Sequence, residues 1–203
     1  AKLAITVEGD LQDFLGANIE RKEDGIHLTQ PHLIKQILKD LRLDGDDVKG
    51  KDTPASSSKL LSRHSDSPPF DASFNYRSVI GKINYLEKAT RSDIAYIGHQ
   101  CARFTSDPKK EHCDAIRWLG RYLKATQDKG LILKPSEHKD LELYCDADFA
   151  GNWDSHEAGH DRDTARSRHG YIIMYANCPI VWKSQMQTEI ALSSTESEYT
   201  GLS

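Results

Sequence analysis

The spacing of apolar residues changes twice along this chain of 203 residues, and that double change limits the fold more than any other feature. Short apolar and alternating runs occupy residues 3–30, helical spacing occupies 31–43 and 74–130, and alternation returns from 131 onward. Alternation puts successive side chains on opposite faces of a strand, whereas recurrence at three and four residues puts them on one face of a helix. The chain is therefore expected to be α/β: an N-terminal β-hairpin and helix, a central helical region, and a C-terminal mixed sheet.

In the first part, Leu11, Phe14, Leu15 and Ile19 precede a polar turn at Arg21–Gly25, and Ile26–Gln30 alternates after it. Two runs around an Asp-Gly turn predict a hairpin. Pro31 suits a first helical turn, with Leu33, Ile34, Ile37, Leu38 and Leu41 on one face and Gly45 as the stop. Residues 44–73 are rich in Ser, Pro and Asp and read as a linker or long surface loop. Three packed helices are expected over 74–130. Val79, Ile80, Ile83 and Leu86 mark the first, Ile94, Ile97, Cys101 and Phe104 the second, and His112, Ile116, Leu119 and Leu123 the third. Asp107-Pro108 is a suitable cap and first-turn proline for the last of these, and Gly130 a suitable end.

Beyond it, strands are expected at 131–134 and 141–149, a polar loop at 151–167, a hairpin of 171–175 with 180–184, and a helix starting near Ser193 or Ser194. Leu141, Leu143 and Cys145 alternate with Glu142, Tyr144 and Asp146, which predicts one buried face. That strand ends in Asp146 and Asp148. A strand that delivers carboxylates to its end can hold a hard cation if another carboxylate joins it, and Glu196 at the later helix start is the candidate. The plain alternative for Glu196 is a capping box: Ser193-x-x-Glu196 and Thr195-x-x-Glu198 both satisfy the pattern.

Composition excludes several classes. The net charge of −4 argues against a uniformly basic nucleic-acid binder. Cys101, Cys113, Cys145 and Cys178 form no C-x-x-C pair, so they read as reduced thiols rather than a zinc ribbon. No apolar run approaches the roughly 20 residues of a membrane-spanning helix. The chain opens on a strand-like Leu3–Val7 without a starting Met and stops inside an apparent helix, as a piece of a longer protein would. His156-Glu157-Ala158-Gly159-His160 matches H-E-x-x-H, but its Gly159 and loop-like flanks argue against the helix that zinc ligation needs. Basic residues at 103–129 (Arg103, Lys109, Lys110, Arg117, Arg121, Lys124, Lys129), with Arg162, Arg166, Arg168 and Lys183, could track phosphates or form a solvated face. Trp118, Trp153 and Trp182 could stack bases, though Trp118 and Trp182 read rather as core.

Several segments resemble, in order, the C-terminal part of the Pol polyprotein of copia-type LTR retrotransposons. Asp13–Gly16 with Gly25–Gln30 is similar to the reverse transcriptase's primer-grip hairpin, and Pro31–Leu43 to the start of its thumb. Tyr76–Leu86, Thr90–Tyr96 and His112–Leu123 resemble the connection. Tyr144–Gly151 and Ala191–Tyr199 resemble the beginning of ribonuclease H. The resemblance implies an end of reverse transcriptase over 1–43, a linker at 44–73, a connection at 74–139 and the first half of an incomplete ribonuclease H-like sheet domain at 140–203.

Its functional implications are specific. The parent enzyme would copy element RNA into DNA and cut RNA in RNA–DNA hybrids at a four-carboxylate site holding two Mg²⁺ (Mn²⁺ as a substitute). Asp146 and Glu196 would be the first two catalytic and metal-binding carboxylates. Phe14, Leu15 and Gly16 would touch the primer backbone. Partners would be primer–template, RNA–DNA hybrid and the rest of the polyprotein, with no membrane. The place of action would be intracellular, in a cytoplasmic virus-like particle and the nucleus. The chain has no Tyr-x-Asp-Asp polymerase motif, the last two ribonuclease H carboxylates would follow residue 203, and 154–163 is longer and richer in His than the pattern. A fragment with two of four carboxylates is expected to cut hybrid feebly or not at all. A domesticated or decayed binding module is the alternative.

Overall fold

The computed structural model describes residues 13–56, 61–63 and 66–202. The expected β residues 3–12, including Leu11, lie outside the described residues. Four strands form the first sheet in the order β1-β2-β3-β4: β1 (Asp13–Phe14), β2 (Ala17–Lys22), β3 (Gly25–Thr29) and β4 (Leu131–Leu133). The Asp-Gly signal is realised as a tight turn at Glu23-Asp24, with Lys22 opposite Gly25. Gly25 has φ +142°, and a Cβ there would meet the carbonyl oxygen of Leu133 at 2.7 Å. Gly130 was expected to end a helix. The helix stops earlier, at Ala125, and Gly130 instead lets β4 close on β3: a Cβ would sit 1.9 Å from the Leu28 carbonyl oxygen.

Helix α1 (Pro31–Asp40) starts at the predicted proline but stops before Gly45. Arg42 takes φ +56°, and the N–H groups of Arg42 and Leu43 close on the carbonyls of Lys39 and Leu38, the satisfaction a helix end requires. The three central helices form as expected: α2 (Tyr76–Ala89), α3 (Ala95–Ala102, preceded by a 3₁₀ turn at Ser92–Ile94) and α4 (Lys110–Ala125). Their apolar faces and that of α1 make one core of Ile34, Ile37, Leu38, Val79, Ile83, Leu86, Ile94, Ile116, Leu119 and Leu123.

The cap of α4 differs from expectation. Asp107-Pro108 lies before the helix, whose first N–H groups go to the Pro68 carbonyl and Ser67 Oγ of the Ser/Pro-rich segment. Fully buried His112 accepts from the Lys109 N–H at its Nδ1 and donates from Nε2 to the Ser62 carbonyl, with Phe104 stacked on its ring at 3.8 Å. The 44–73 segment is thus strapped along α4, with Trp118 donating to the Thr53 carbonyl and Lys51 3.9 Å from its ring. Most of the basic residues near α4 are committed internally: Arg117 to Ser73, Arg121 to the Lys49 carbonyl, Lys124 to Leu43 and Gly45, and Arg103 to Asp163.

The C-terminal sheet has strands β5 (Leu141–Ala147), β6 (Arg168–Tyr175) and β7 (Cys178–Met186), all antiparallel, followed by α5 (Ser194–Gly201). The expected mixed sheet is not seen among the described residues. A parallel pair needs a crossover connection, and the only described α-helix of this region follows the last strand, the link between β5 and β6 holding just a 3₁₀ turn at Arg162–Thr164. The predicted buried face of β5 is also absent: Leu141 and Leu143 are 70% and 55% exposed. α5 has eight residues and covers only the strand's end, where Gly201 packs on Ala147 and His169.

Candidate nucleic-acid and carboxylate site

β5 carries Asp146 to the end of the sheet, opposite Gly170 of β6. Alternation sets Asp146 on the face away from Gly201, and it lines a cavity of about 600 Å³ between the sheet and the start of α3. Tyr96, Tyr144, Arg168, Trp182 and Lys183 line the same cavity. The Asp146 carboxylate is exposed and makes no hydrogen bond among the described residues.

Asp148 leaves the strand and knits the site together. Its Oδ1 accepts from the backbone N–H of Arg168 at 2.7 Å, its own N–H donates to the Arg168 carbonyl at 2.9 Å, and its carbonyl accepts from Ser197 Oγ of α5. Ser197 is fully buried, and Gln187 Nε2 donates to its carbonyl at 2.8 Å. The residue after Glu196 is therefore fixed to the residue two beyond Asp146, and the two predicted segments meet at one strand end. Sequence reading picked Asp146 and Glu196, with Asp148 as loop structure at the strand end, and did not single out Ser197; its signal was a small polar residue one turn into a capped helix, facing inward.

The two carboxylates are differently occupied. Glu196 Oε2 accepts from the Leu192 N–H at 2.7 Å, and Ser193 Oγ accepts from the Glu196 N–H at 3.1 Å. Half of the box read from Ser193-x-x-Glu196 is formed: Ser193 caps the Glu196 N–H, but the Glu196 carboxylate reaches the N–H of Leu192, one residue before the cap, rather than that of Ser193. Asp146 and Glu196 share no partner, and among the described residues no three His, Cys, Asp or Glu side chains gather to hold a metal ion. Hard carboxylate oxygens suit Mg²⁺ in kind, but two of them fall short of a two-ion centre. His156 and His160 sit exposed in a run of turns rather than on a helix, as their Gly-containing motif predicted.

The cavity wall opposite the sheet is held by buried cation chemistry. Arg168, 6% exposed, donates from Nη1 and Nη2 to His99 Nδ1 of α3, both at 3.1 Å, and from Nη1 to Ser184 Oγ at 3.2 Å. Burial, with the charges of Arg168, Arg103 and Lys183, pulls His99 down to about 4, so the ring is a neutral acceptor. Trp182, half-buried between the layers, donates from Nε1 to the Glu87 carbonyl at the end of α2.

In the first sheet, Phe14, Leu15 and Gly16 form the β1–β2 turn. Leu15 and Gly16 have φ +51° and +75°, the mirror-image turn that suits strand twist. Phe14 and Leu15 are 57% and 71% exposed, and Tyr85 of α2 donates its hydroxyl proton to the Leu15 carbonyl. The hairpin tip thus projects apolar side chains while α2 steadies its backbone.

The chain is 35% identical over 190 residues (94% of its length) to the Retrovirus-related Pol polyprotein from transposon RE1 of Arabidopsis thaliana. It is 32% identical over 198 residues (98%) to the corresponding polyprotein from transposon RE2 of the same plant. It spans only 12% and 13% of the length of those two relatives. It is also 38% identical over 128 residues to Secreted RxLR effector protein 161 of Plasmopara viticola, covering 84% of that protein. No family model and no solved structure matches the chain.

Proposed function

The chain belongs to the Pol polyproteins of copia-type transposons, and from that footing we propose that it is the stretch in which reverse transcriptase passes into ribonuclease H. In this reading Asp146 and Glu196 contribute two carboxylates to a divalent-metal site that cuts RNA in RNA–DNA hybrids. Mg²⁺, or Mn²⁺ in its place, supplies hydroxide generation and stabilisation of the leaving oxygen. The remaining carboxylates come from elsewhere in the parent polyprotein. Phe14, Leu15 and Gly16 bear on the primer strand of a primer–template, and the packed helices hold hairpin and sheet together as one support.

The observation that carries this reading is the junction of Ser197 with Asp148. It ties a strand ending in an exposed Asp to a helix beginning with a Glu, two residues with one cation preference from distant parts of the sequence. No described helix is long and apolar enough to cross a membrane. Cleavage of a labelled RNA–DNA hybrid in Mg²⁺ tests it: the chain alone cuts feebly or not at all, and the parent polyprotein cuts well.

The match to the RxLR effector supports a second reading, because most of that shorter protein corresponds to this region. In it the fold serves as a non-catalytic binding module. Hybrid binding without cleavage in the parent protein would favour it.

A further inference from the structure

Three buried or nearly buried arginines cross between elements, and one lacks an acid. Arg91 meets Asp93 and Arg103 meets Asp163. Among the described residues the Arg168 guanidinium donates only to the neutral His99 ring and to Ser184, lies over the Tyr96 ring at 5.3 Å, and leaves its Nε without a partner. No carboxylate among the described residues pairs with its guanidinium; the Asp148 carboxylate is engaged by the Arg168 backbone N–H instead. A buried charge without a counter-charge is costly, and this one lines an open cavity large enough for a nucleotide. The aromatic faces of Tyr96 and Trp182 line that cavity too.

We infer that the cavity between α3 and the β5–β7 sheet receives one nucleotide of a bound nucleic-acid strand, with its phosphate supplying the missing counter-charge of Arg168. A guanidinium presents paired donors that match phosphate oxygens, and aromatic faces accept bases irrespective of sequence. Asp146 and Asp148 line the same cavity, so an isolated nucleotide binds weakly and a strand with contacts elsewhere binds better. This rests on the hybrid-cleaving reading for its orientation: the strand passes directly over Asp146. Arg168 is assigned a substrate-binding role, distinct from the carboxylates.

The test uses the whole chain in EDTA, with adenosine 5′-monophosphate, adenosine and inorganic phosphate as probes, followed by the NMR signal of the Arg168 Nε–H. The nucleotide is expected to shift that signal, adenosine to leave it unmoved, and phosphate to act only at roughly tenfold or higher concentration. Arg168→Gln is expected to abolish nucleotide binding without lowering the melting midpoint, because no ion pair is lost. Tyr96→Ala, at an exposed position, is expected to weaken nucleotide binding several-fold and remains informative if Arg168→Gln fails to fold. An unmoved Arg168 signal would overturn the inference. So would equal responses to nucleotide and phosphate, or an Arg168→Gln protein that melts lower yet binds the nucleotide normally. Asp146→Asn separates the two proposals. It strengthens nucleotide binding by removing a facing carboxylate while removing cleavage from the parent, and nucleotide binding in a native parent that does not cut would remove the catalytic reading alone.

Discussion

Arg91 Nε and Nη2 donate to the two carboxylate oxygens of Asp93 at 2.9 and 2.8 Å, although the residues are only two positions apart and Arg91 is 1% exposed. The same guanidinium donates from Nη1 to the Thr126 carbonyl at the end of α4, and Tyr122 donates its hydroxyl proton to Asp93. A cation at a helix C-terminus satisfies carbonyls that have no intrahelical partner. This cluster therefore joins the α2–α3 corner to the last turn of α4. Removing one member leaves a buried donor or a partly exposed carboxylate without its partner, so Asp93→Asn and Arg91→Met are each expected to destabilise the chain by about 1–3 kcal/mol, solvent at the Asp93 carboxylate (38% exposed) screening part of the loss. The double variant should cost clearly less than the sum in chemical denaturation. Burial raises Asp93, but bonds from Arg91 and Tyr122 outweigh it and hold the carboxyl below its ordinary 3.8. Its contribution is therefore present above that value and lost only as pH falls through the lower folded value.

His99 gives a second pH dependence in a separate window. The folded value of about 4 lies below the ordinary 6.5, because burial and the facing charges of Arg168, Arg103 and Lys183, opposed in part by Asp163, disfavour the protonated ring. Between those values the unfolded chain binds more protons than the folded one, so stability rises with pH there. The melting midpoint is expected to fall steadily on acidification from pH 6.5 towards 4, and His99→Gln should flatten that segment. An unchanged slope in His99→Gln would place the titration elsewhere.

Glu196 does two jobs in this account, and they separate by substitution. Glu196→Gln keeps an oxygen for the Leu192 N–H and should change stability by less than about 0.5 kcal/mol, yet remove the parent's hybrid cleavage. Glu196→Ala should lose the cleavage and also about 0.5–1.5 kcal/mol of stability. If Glu196→Gln cleaves normally, the residue is a cap and nothing more.

Much of this was legible beforehand. The helical spacing of Val79, Ile83 and Leu86 and of Ile116, Leu119 and Leu123 gave the core, because a stripe of that width has only one way to be buried. The Glu23-Asp24-Gly25 turn and the Ser193 cap were local chemistry and appeared where read. What escaped was set by tertiary partners. Asp107-Pro108 carries every local mark of a helix start, but the segment at Ser67-Pro68 supplies acceptors three residues later. Leu141 and Leu143 alternate as a half-buried strand would, yet no described element covers them. Arg91 lies in the stretch Thr90–Asp93, which spacing alone could not distinguish from a solvated turn. At the site, Asp146 and Glu196 could be named from their places at a strand end and a helix start. The inward turn of Ser197 and the acid-free burial of Arg168 depend on contacts between distant strands and helices.

The central claim is that Asp146 is a ligand and catalytic carboxylate for hybrid cleavage. The most direct measurement follows a labelled RNA–DNA hybrid in Mg²⁺ with the parent polyprotein's polymerase–ribonuclease region, comparing the native sequence with Asp146→Asn and Asp148→Asn. Asp146→Asn is expected to fall to background while retaining hybrid binding and its melting midpoint, and Asp148→Asn to lose stability before activity. Undiminished cutting by Asp146→Asn would contradict the account.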